Sequence, residues 1–430
     1  MRLTNLLRNR TVKNAGWLIG EQIFQMVLTF VIGVISARYL GPANYGSLNY
    51  TASFIAFFNS ICTLGMDGVV IKKMIDKPDK EGEYLGGCLM LRLFSSMLSM
   101  VSVVMLVWAL NPNDPIKILL AGIQSVRMLF EAMYVLNTWF QRYLKAKYVS
   151  LAKMIAAILV AVYKIILLAT LKSVVWFAFS SVLSYMINAL VVYAFYRRES
   201  TQKLKPAFSK GWEVLGESYH FILSGIMTSI YGQMDKIMVG KMLGDSEVAY
   251  YTLALTIASM WVFVPTAIIN SFRPSILEAK QAGNEKEYTH RLLKMYSIII
   301  WTCLSVAVIG VFLIRPAIYI LYGEAYLPAV DSFRIVIWCE IFSMIGVARG
   351  VWIVSENKNK YVKYYLAIGA VFNLVMNMVL IPVIGTLGAA VATLLTQIIT
   401  SMIAPLFFKE TRIHTSLVLK AVVFYWRKKE

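Results

Sequence analysis

Long apolar runs, bounded by charged residues, proline or glycine, succeed one another along nearly the whole chain. A helix needs about 20 residues to cross a hydrocarbon core roughly 30 Å thick. Twelve runs reach that length, at 15–37, 45–64, 85–109, 116–138, 148–171, 174–196, 219–239, 248–272, 292–314, 329–354, 361–381 and 387–408. The pattern predicts an all-α polytopic membrane protein with about twelve transmembrane helices. Six spans precede and six follow a polar stretch in mid-chain. They give an N-terminal six-helix lobe over 1–196, a cytoplasmic linker over 197–218, a C-terminal six-helix lobe over 219–408 and a basic cytoplasmic tail over 409–430. The first run is too long for the apolar part of a secretory signal and has no small-residue cleavage site, so it counts as a span. No loop exceeds roughly twenty-five residues, which leaves no room for a soluble catalytic domain. The segments 208–219 and 413–426 mix basic and apolar residues. Each fits a helix lying in the cytoplasmic interface, or else a solvated linker and a frayed end.

Composition adds the class and the topology. Of 430 residues 59% are hydrophobic and only 15% charged, which is not a soluble composition. The formal charge of +19 would suit nucleic acid, but Lys and Arg gather between the apolar runs and read as topology signals, so no nucleic-acid partner is expected. Thirty of the 42 fall in the two tails and the loops after spans 2, 4, 6, 8 and 10. Five (Arg38, Lys117, Lys172, Lys241 and Arg315) lie on the opposite side. Cytoplasmic segments hold the positive excess, so both termini are expected in the cytoplasm. Cys62, Cys88, Cys303 and Cys339 sit in apolar stretches with no C-x-x-C or Cys/His pairing, which argues against a zinc site or a disulfide framework. No cofactor is expected. The chain also lacks a G-x-x-x-x-G-K-[ST] loop, so uphill transport would draw on an ion gradient rather than on ATP by that route.

Polar residues inside the spans fall on faces. In span 8, Thr252, Thr256, Ser259, Thr266 and Asn270 follow three- and four-residue steps that end beside Arg273. Span 7 repeats this with Ser224, Thr228, Tyr231 and Asp235, and span 2 with Asn49, Ser53, Ser60, Thr63 and Asp67. In span 1, Glu21 and Gln25 are one turn apart with Gln22 adjacent. These four helices read as cavity walls, although single hydroxyls are ordinary packing residues in membrane helices. Ionisable residues in lipid cost roughly 2.5 to 3.5 kcal/mol each, so those within spans should find a partner or a cavity. Arg127 and Glu131 can pair along their helix, and Arg334 and Glu340 are expected to find partners across the bundle. Arg92, Lys164 and Arg349 have no obvious local counter-ion and are candidates for an anion-attracting lumen, with snorkelling favoured for Lys164. A weak repeat links the halves: Tyr39-Leu40-Gly41 before span 2 matches Met242-Leu243-Gly244 before span 8.

Four segments carry a resemblance. Ala37-Arg38-Tyr39-Leu40-Gly41-Pro42-Ala43-Asn44-Tyr45-Gly46, Leu64-Gly65-Met66-Asp67, Gln233-Met234-Asp235-Lys236-Ile237-Met238-Val239-Gly240 and the run from Leu380 through Pro382, Gly385 and Gly388 to Thr393 resemble those of bacterial polysaccharide-unit flippases. That family belongs to the multidrug/oligosaccharidyl-lipid/polysaccharide exporter superfamily, and the similarity runs the length of the chain. It implies two six-helix lobes around a central cavity formed mainly by helices 1, 2, 7 and 8. It implies translocation of an undecaprenyl-pyrophosphate-linked oligosaccharide to the outer leaflet of the bacterial cytoplasmic membrane, for O-antigen, capsule or exopolysaccharide synthesis. Membrane lipids, a polysaccharide polymerase and export machinery are the expected partners.

On this reading the cavity candidates are Glu21, Gln22, Gln25, Asn49, Ser60, Asp67, Thr228, Asp235, Lys236, Thr256, Asn270 and Arg273. Glu21 and Asp235 are the candidates for coupling to H⁺ or Na⁺. A basic lumen would suit the diphosphate, yet these four helices offer few cations beyond Lys236, Arg38 and Arg273. Two other readings remain: a cation-coupled multidrug or metabolite exporter of the same superfamily, and, from another class, a membrane-embedded polysaccharide polymerase or ligase. The last usually carries a large external loop, and the longest here runs only from about Arg315 to Pro328.

Overall fold

The structure, a computed structural model, describes residues 10–424. The charges of Arg2, Arg8, Arg427, Lys428 and Lys429, which entered the topology reading, lie outside them. Among the described residues there is no strand. The helices are α1 (Arg10–Thr63), α2 (Asp67–Asp76), α3 (Glu81–Leu110), α4 (Pro115–Ser125), α5 (Arg127–Glu131), α6 (Leu136–Arg142), α7 (Ala146–Ala169), α8 (Val174–Glu199), α9 (Phe208–Leu243), α10 (Asp245–Ser259), α11 (Phe263–Gln281), α12 (Glu285–Tyr322), α13 (Ala329–Ser355), α14 (Val362–Ile384), α15 (Thr386–Ile398) and α16 (Arg412–Phe424). A π-helical turn at Ile399–Ile403 follows α15.

Nine of the described helical stretches are long and apolar enough to cross a membrane, or ten when α10 and α11, bent by 41°, count as one span. Their outer surfaces are apolar: Phe312 is 76% and Val383 75% exposed. Water would not tolerate such a surface, whereas lipid does. The chain is thus a multi-pass membrane protein. The count differs from twelve at two places. The stretch Gly16–Asp76 counts once although it holds the first two expected spans, and α9, which covers the seventh, has its apolar run diluted by polar residues that include Gln233, Asp235 and Lys236.

The first two spans are joined by a break rather than a loop. Gly41 leaves helical geometry at φ 69°, ψ 169°, and Pro42 restarts the helix. A residue before proline is driven to extended ψ, proline suits a helix start, and the positive φ selects glycine. Gly244, between α9 and α10, has nearly the same geometry, φ 102° and ψ 177°. The sequence repeat therefore marks a repeated turn. Gly244→Ala is expected to cost about 1–2 kcal/mol of stability through its left-handed strain. Gly232→Ala, which meets nothing within 4 Å inside α9, should be neutral or stabilising; equal losses in thermal melts of the detergent-purified variants would refute the assignment.

The chain forms two compact units, which divide between Gln233 and Met234. In the first, Tyr84, Leu85, Cys88, Leu136, Phe140, Val192 and Tyr196 belong to one buried cluster of α3, α6 and α8. The segment 208–219 is helical rather than a solvated linker. It is the opening of α9, held by Glu213, which accepts from Lys73 Nζ at 2.9 Å and from the Tyr84 hydroxyl at 3.1 Å. In the second unit, most of 413–426 forms α16, and it is not frayed. His414 is fully buried, with Nε2 3.1 Å from the Tyr296 hydroxyl, and Thr415 donates to the Met402 carbonyl at 2.7 Å. Tyr425 and Trp426 lie outside the described residues.

Candidate functional site

Asp235 is the best-organised polar centre of the second unit. It lies in the C-terminal part of α9, 6% exposed. Its Oδ2 accepts from Tyr251 of α10 at 2.9 Å and from Thr393 of α15 at 2.5 Å, and its Oδ1 accepts from Asn377 of α14 at 2.6 Å. Tyr251 and Thr393 are 3.0 Å apart. Asn377 also donates to Oδ1 of Asn373, one turn earlier, at 3.1 Å. Asn377 Oδ1 and Asn373 Nδ2 are buried with no hydrogen-bond partner among the described residues. Three donors serve the carboxylate, and no salt bridge reaches it among the described residues. Uncharged donors can hold a buried carboxylate, and the adjacent Lys236 acts on its charge only through space, without an ion pair.

The donor set is oxygen-rich: two carboxylate oxygens, two hydroxyls and the free Asn377 carbonyl. Hard oxygen ligands suit a hard cation, and a proton on Asp235 would equally remove the charge. No group of three or more His, Cys, Asp or Glu that could hold a metal occurs among the described residues. Tyr251, Asn373, Asn377 and Thr393 were absent from the candidates named on sequence. The four-residue spacing of Asn373 and Asn377 within an apolar span was the available signal.

The other candidates are dispersed. In the first unit Glu21, 6% exposed, pairs with Lys153 of α7 at 3.3 Å. Gln22 is exposed and Gln25 half-buried. Asn49 and Thr228 turn back onto their own helices, donating to the Tyr45 and Ser224 carbonyls at 2.7 and 2.9 Å. Ser60 meets Ser229 at 3.0 Å. In the second unit Lys236 is half-buried, Thr256 donates to the Thr252 carbonyl at 2.7 Å, and Asn270 and Arg273 are exposed. None of these joins Asp235 in its hydrogen-bonded cluster. A cavity of about 420 Å³ in that unit, lined by Leu243, Glu247, Pro328, Asp331 and Ile384 among others, also holds none of them.

Several pairings differ from expectation. Asp67 is not on the stripe of span 2, because α1 stops at Thr63 and Leu64 and Gly65 take positive φ. It opens α2 and ion-pairs with Arg92 at 2.7 Å, so Arg92, 1% exposed, does have a counter-ion. Among the described residues no ion pair links Arg127 to Glu131: the Arg127 guanidinium lies 5.1 Å from the Tyr185 ring centre and Glu131 accepts from Asn59. Arg334 pairs with Asp331 at 3.6 Å, not across the bundle. Arg349 faces protein, donating to the Thr400 carbonyl with its guanidinium 4.3 Å from the Tyr365 ring centre. The expected polar face of span 8 is interrupted between Ser259 and Thr266, where α10 bends into α11.

The buried carboxylate centre lies in a helical membrane bundle, and comparison with known proteins gives the family. A family model described as polysaccharide biosynthesis protein matches residues 11–280, and one described as MatE matches 221–379. The chain belongs to the polysaccharide biosynthesis protein family, within the multidrug/oligosaccharidyl-lipid/polysaccharide exporter superfamily. It is 24% identical over 185 residues to a Haloferax volcanii protein named "Probable flippase AglR", covering 42% of this chain and 39% of that one. The chain thus spans well under two thirds of the curated relatives it matches. Among solved structures, an inward-facing multidrug resistance MATE family transporter superposes with TM-score 0.72 at 15% identity, covering 92% of this chain and 96% of that one. The lipid II flippase MurJ in an inward closed conformation superposes with TM-score 0.70 at 14% identity, covering 95% and 91%. At these identities the likeness is one of fold.

Proposed function

We propose that the protein is a flippase, not an enzyme. It carries undecaprenyl-pyrophosphate-linked oligosaccharide units from the inner to the outer leaflet of a bacterial cytoplasmic membrane by alternating access, driven by an ion gradient. Family membership supports the glycan, since diphosphate and sugars cannot cross hydrocarbon unaided while a polyprenyl tail can stay in lipid. The observation that carries the coupling is Asp235, a buried carboxylate held by three neutral donors. Uptake of H⁺ or Na⁺ there changes the charge that two conformations must accommodate. Glu21 is the weaker coupling candidate because Lys153 already offsets its charge. The remaining polar residues of helices 1, 2, 7 and 8 are assigned to the substrate path, and the pathway's polymerase and export machinery to the downstream partners.

Deletion of the gene should trap lipid-linked oligosaccharide on the inner leaflet, and re-expression should release it. Normal outer-leaflet glycan in the deletion strain, together with altered resistance to cationic compounds, would favour the multidrug exporter instead. Inner-leaflet trapping also separates the flippase from a polymerase or ligase, whose loss would leave unpolymerised units outside. Both termini are assigned to the cytoplasm, so reporters fused after Arg198 and after Asn113 should fall on opposite sides. The same side for both would overturn the topology.

A further inference from the structure

The stretch joining α8 to α9 lies on a flat face of α3. Gly82, Gly86 and Gly87 share one side of that helix. A Cβ added at each would sit 2.2, 2.1 and 2.2 Å from the carbonyl oxygens of Lys203, Lys205 and Ala207 respectively. A Cβ added at Gly211, in the first turn of α9, would sit 2.6 Å from the Gly87 carbonyl oxygen. Only side-chain-free positions allow backbone to meet backbone at this range.

Directional bonds fix the register. Lys205 N donates to the Gly82 carbonyl at 3.0 Å, Gly82 N to Gln202 Oε1 at 3.1 Å, and Gln202 Nε2 to the Pro78 carbonyl at 2.7 Å. The Gln202 carbonyl accepts from the Tyr196 hydroxyl at 3.2 Å. Beyond the glycines, Glu213 binds Lys73, Tyr84 and Lys210, and Lys73 also reaches Glu217 at 2.5 Å.

We infer that residues 200–217 are not a flexible tether but a strut clamped to the first unit, and that the clamp stays closed through the transport cycle, leaving conformational change to begin beyond Glu217. The inference rests on the transport reading for its activity arm only. Acid does not release the clamp under physiological conditions. Hydrogen bonds from Lys73 and then Lys210 draw the Glu213 carboxyl from 4.5 down to about 2. The stability this contributes is complete above the unfolded value of 4.5 and is lost progressively as pH falls from there to about 2.

Two measurements test the strut, both on the full-length protein in lipid nanodiscs or proteoliposomes. Trypsin should cut wild-type protein slowly after Lys203, whose following residue is Leu204, and Gly86→Ala or the milder Gln202→Ala at least tenfold faster. Equal rates in wild type and both variants would mean there is no clamp, whatever the protein transports. Next, Glu83→Cys and Lys205→Cys, whose native side chains approach to 3.9 Å, are joined by a short bis-methanethiosulfonate, which forms a reducible disulfide at each thiol with loss of methanesulfinate, in a background lacking the four native cysteines. Glycan-lipid translocation should stay within twofold of the uncrosslinked protein. A tenfold loss that reduction restores would show that the strut must open and would overturn the inference. If neither form translocates glycan-lipid, the transport reading fails, and the proteolysis comparison alone decides whether the clamp exists.

Discussion

Asp235→Asn is expected to lower glycan-lipid translocation at least roughly tenfold, equivalent to about 1.4 kcal/mol, while the protein reaches the membrane at normal levels. The change is close to isosteric. Asn keeps one oxygen acceptor for Tyr251, Thr393 or Asn377 but cannot gain or lose a proton, and it binds an alkali cation without a negative charge. Removing a buried charge that has no ion pair relieves a desolvation cost, so the fold should survive or gain stability. A purely structural role predicts the reverse: activity in proportion to surviving protein, and a lower melting temperature. The deciding readout is the dependence of translocation on imposed H⁺ and Na⁺ gradients. Wild type should respond to one of them, and Asp235→Asn to neither. Wild-type rates and an unchanged gradient response in the variant would remove Asp235 from coupling. Thr393→Val, which deletes one donor and keeps the shape, should give an intermediate effect.

Asp235 was legible in the sequence because a lone acid in an apolar run stands out against its surroundings. Its partners were not, because they arrive from helices up to 158 residues away and because Tyr, Thr and Asn in membrane helices usually signify no more than packing. The spans were legible from length and apolarity alone. Their junctions were not equally so: Gly41-Pro42 could be read as a turn, whereas Leu64-Gly65 looked like a continuing helix and hid the Asp67–Arg92 pair. The stretch 208–219 was ambiguous for a related reason. Its apolar and basic residues suit an interface, but what determines its place is the glycine face of α3, which a hydropathy pattern does not register.

The largest loss of stability is expected at Glu81. This residue opens α3, is 4% exposed, and gathers three donors from one stretch of chain. Trp139 Nε1 reaches its Oε2 at 3.1 Å, the Tyr143 hydroxyl reaches Oε1 at 2.6 Å, and Arg142 forms an ion pair with Oε1. Lys145 lies 5.1 Å from the Trp139 ring centre, so a second cation borders the site. Glu81→Ala would strand a largely buried guanidinium and the buried Trp139 indole N–H, whereas the exposed Tyr143 hydroxyl can turn to its surroundings. Breaking such a pair costs about 3–5 kcal/mol. Glu81→Gln keeps the volume and one acceptor and should lose less, since only the charge is gone. Glu410, which pairs with Lys360 at 3.4 Å with both side chains more than half exposed, serves as the comparison: a surface pair contributes about 0–1 kcal/mol, so Glu410→Ala should leave melting almost unchanged. Thermal unfolding of detergent-purified protein, followed by thiol labelling of the buried Cys88 in the same core, ranks the three. The order expected is Glu81→Ala well below Glu81→Gln, and Glu410→Ala indistinguishable from wild type. Should Glu81→Ala melt with the wild type, Arg142 must have escaped to solvent, and the ion pair would contribute nothing to holding α3 against α6.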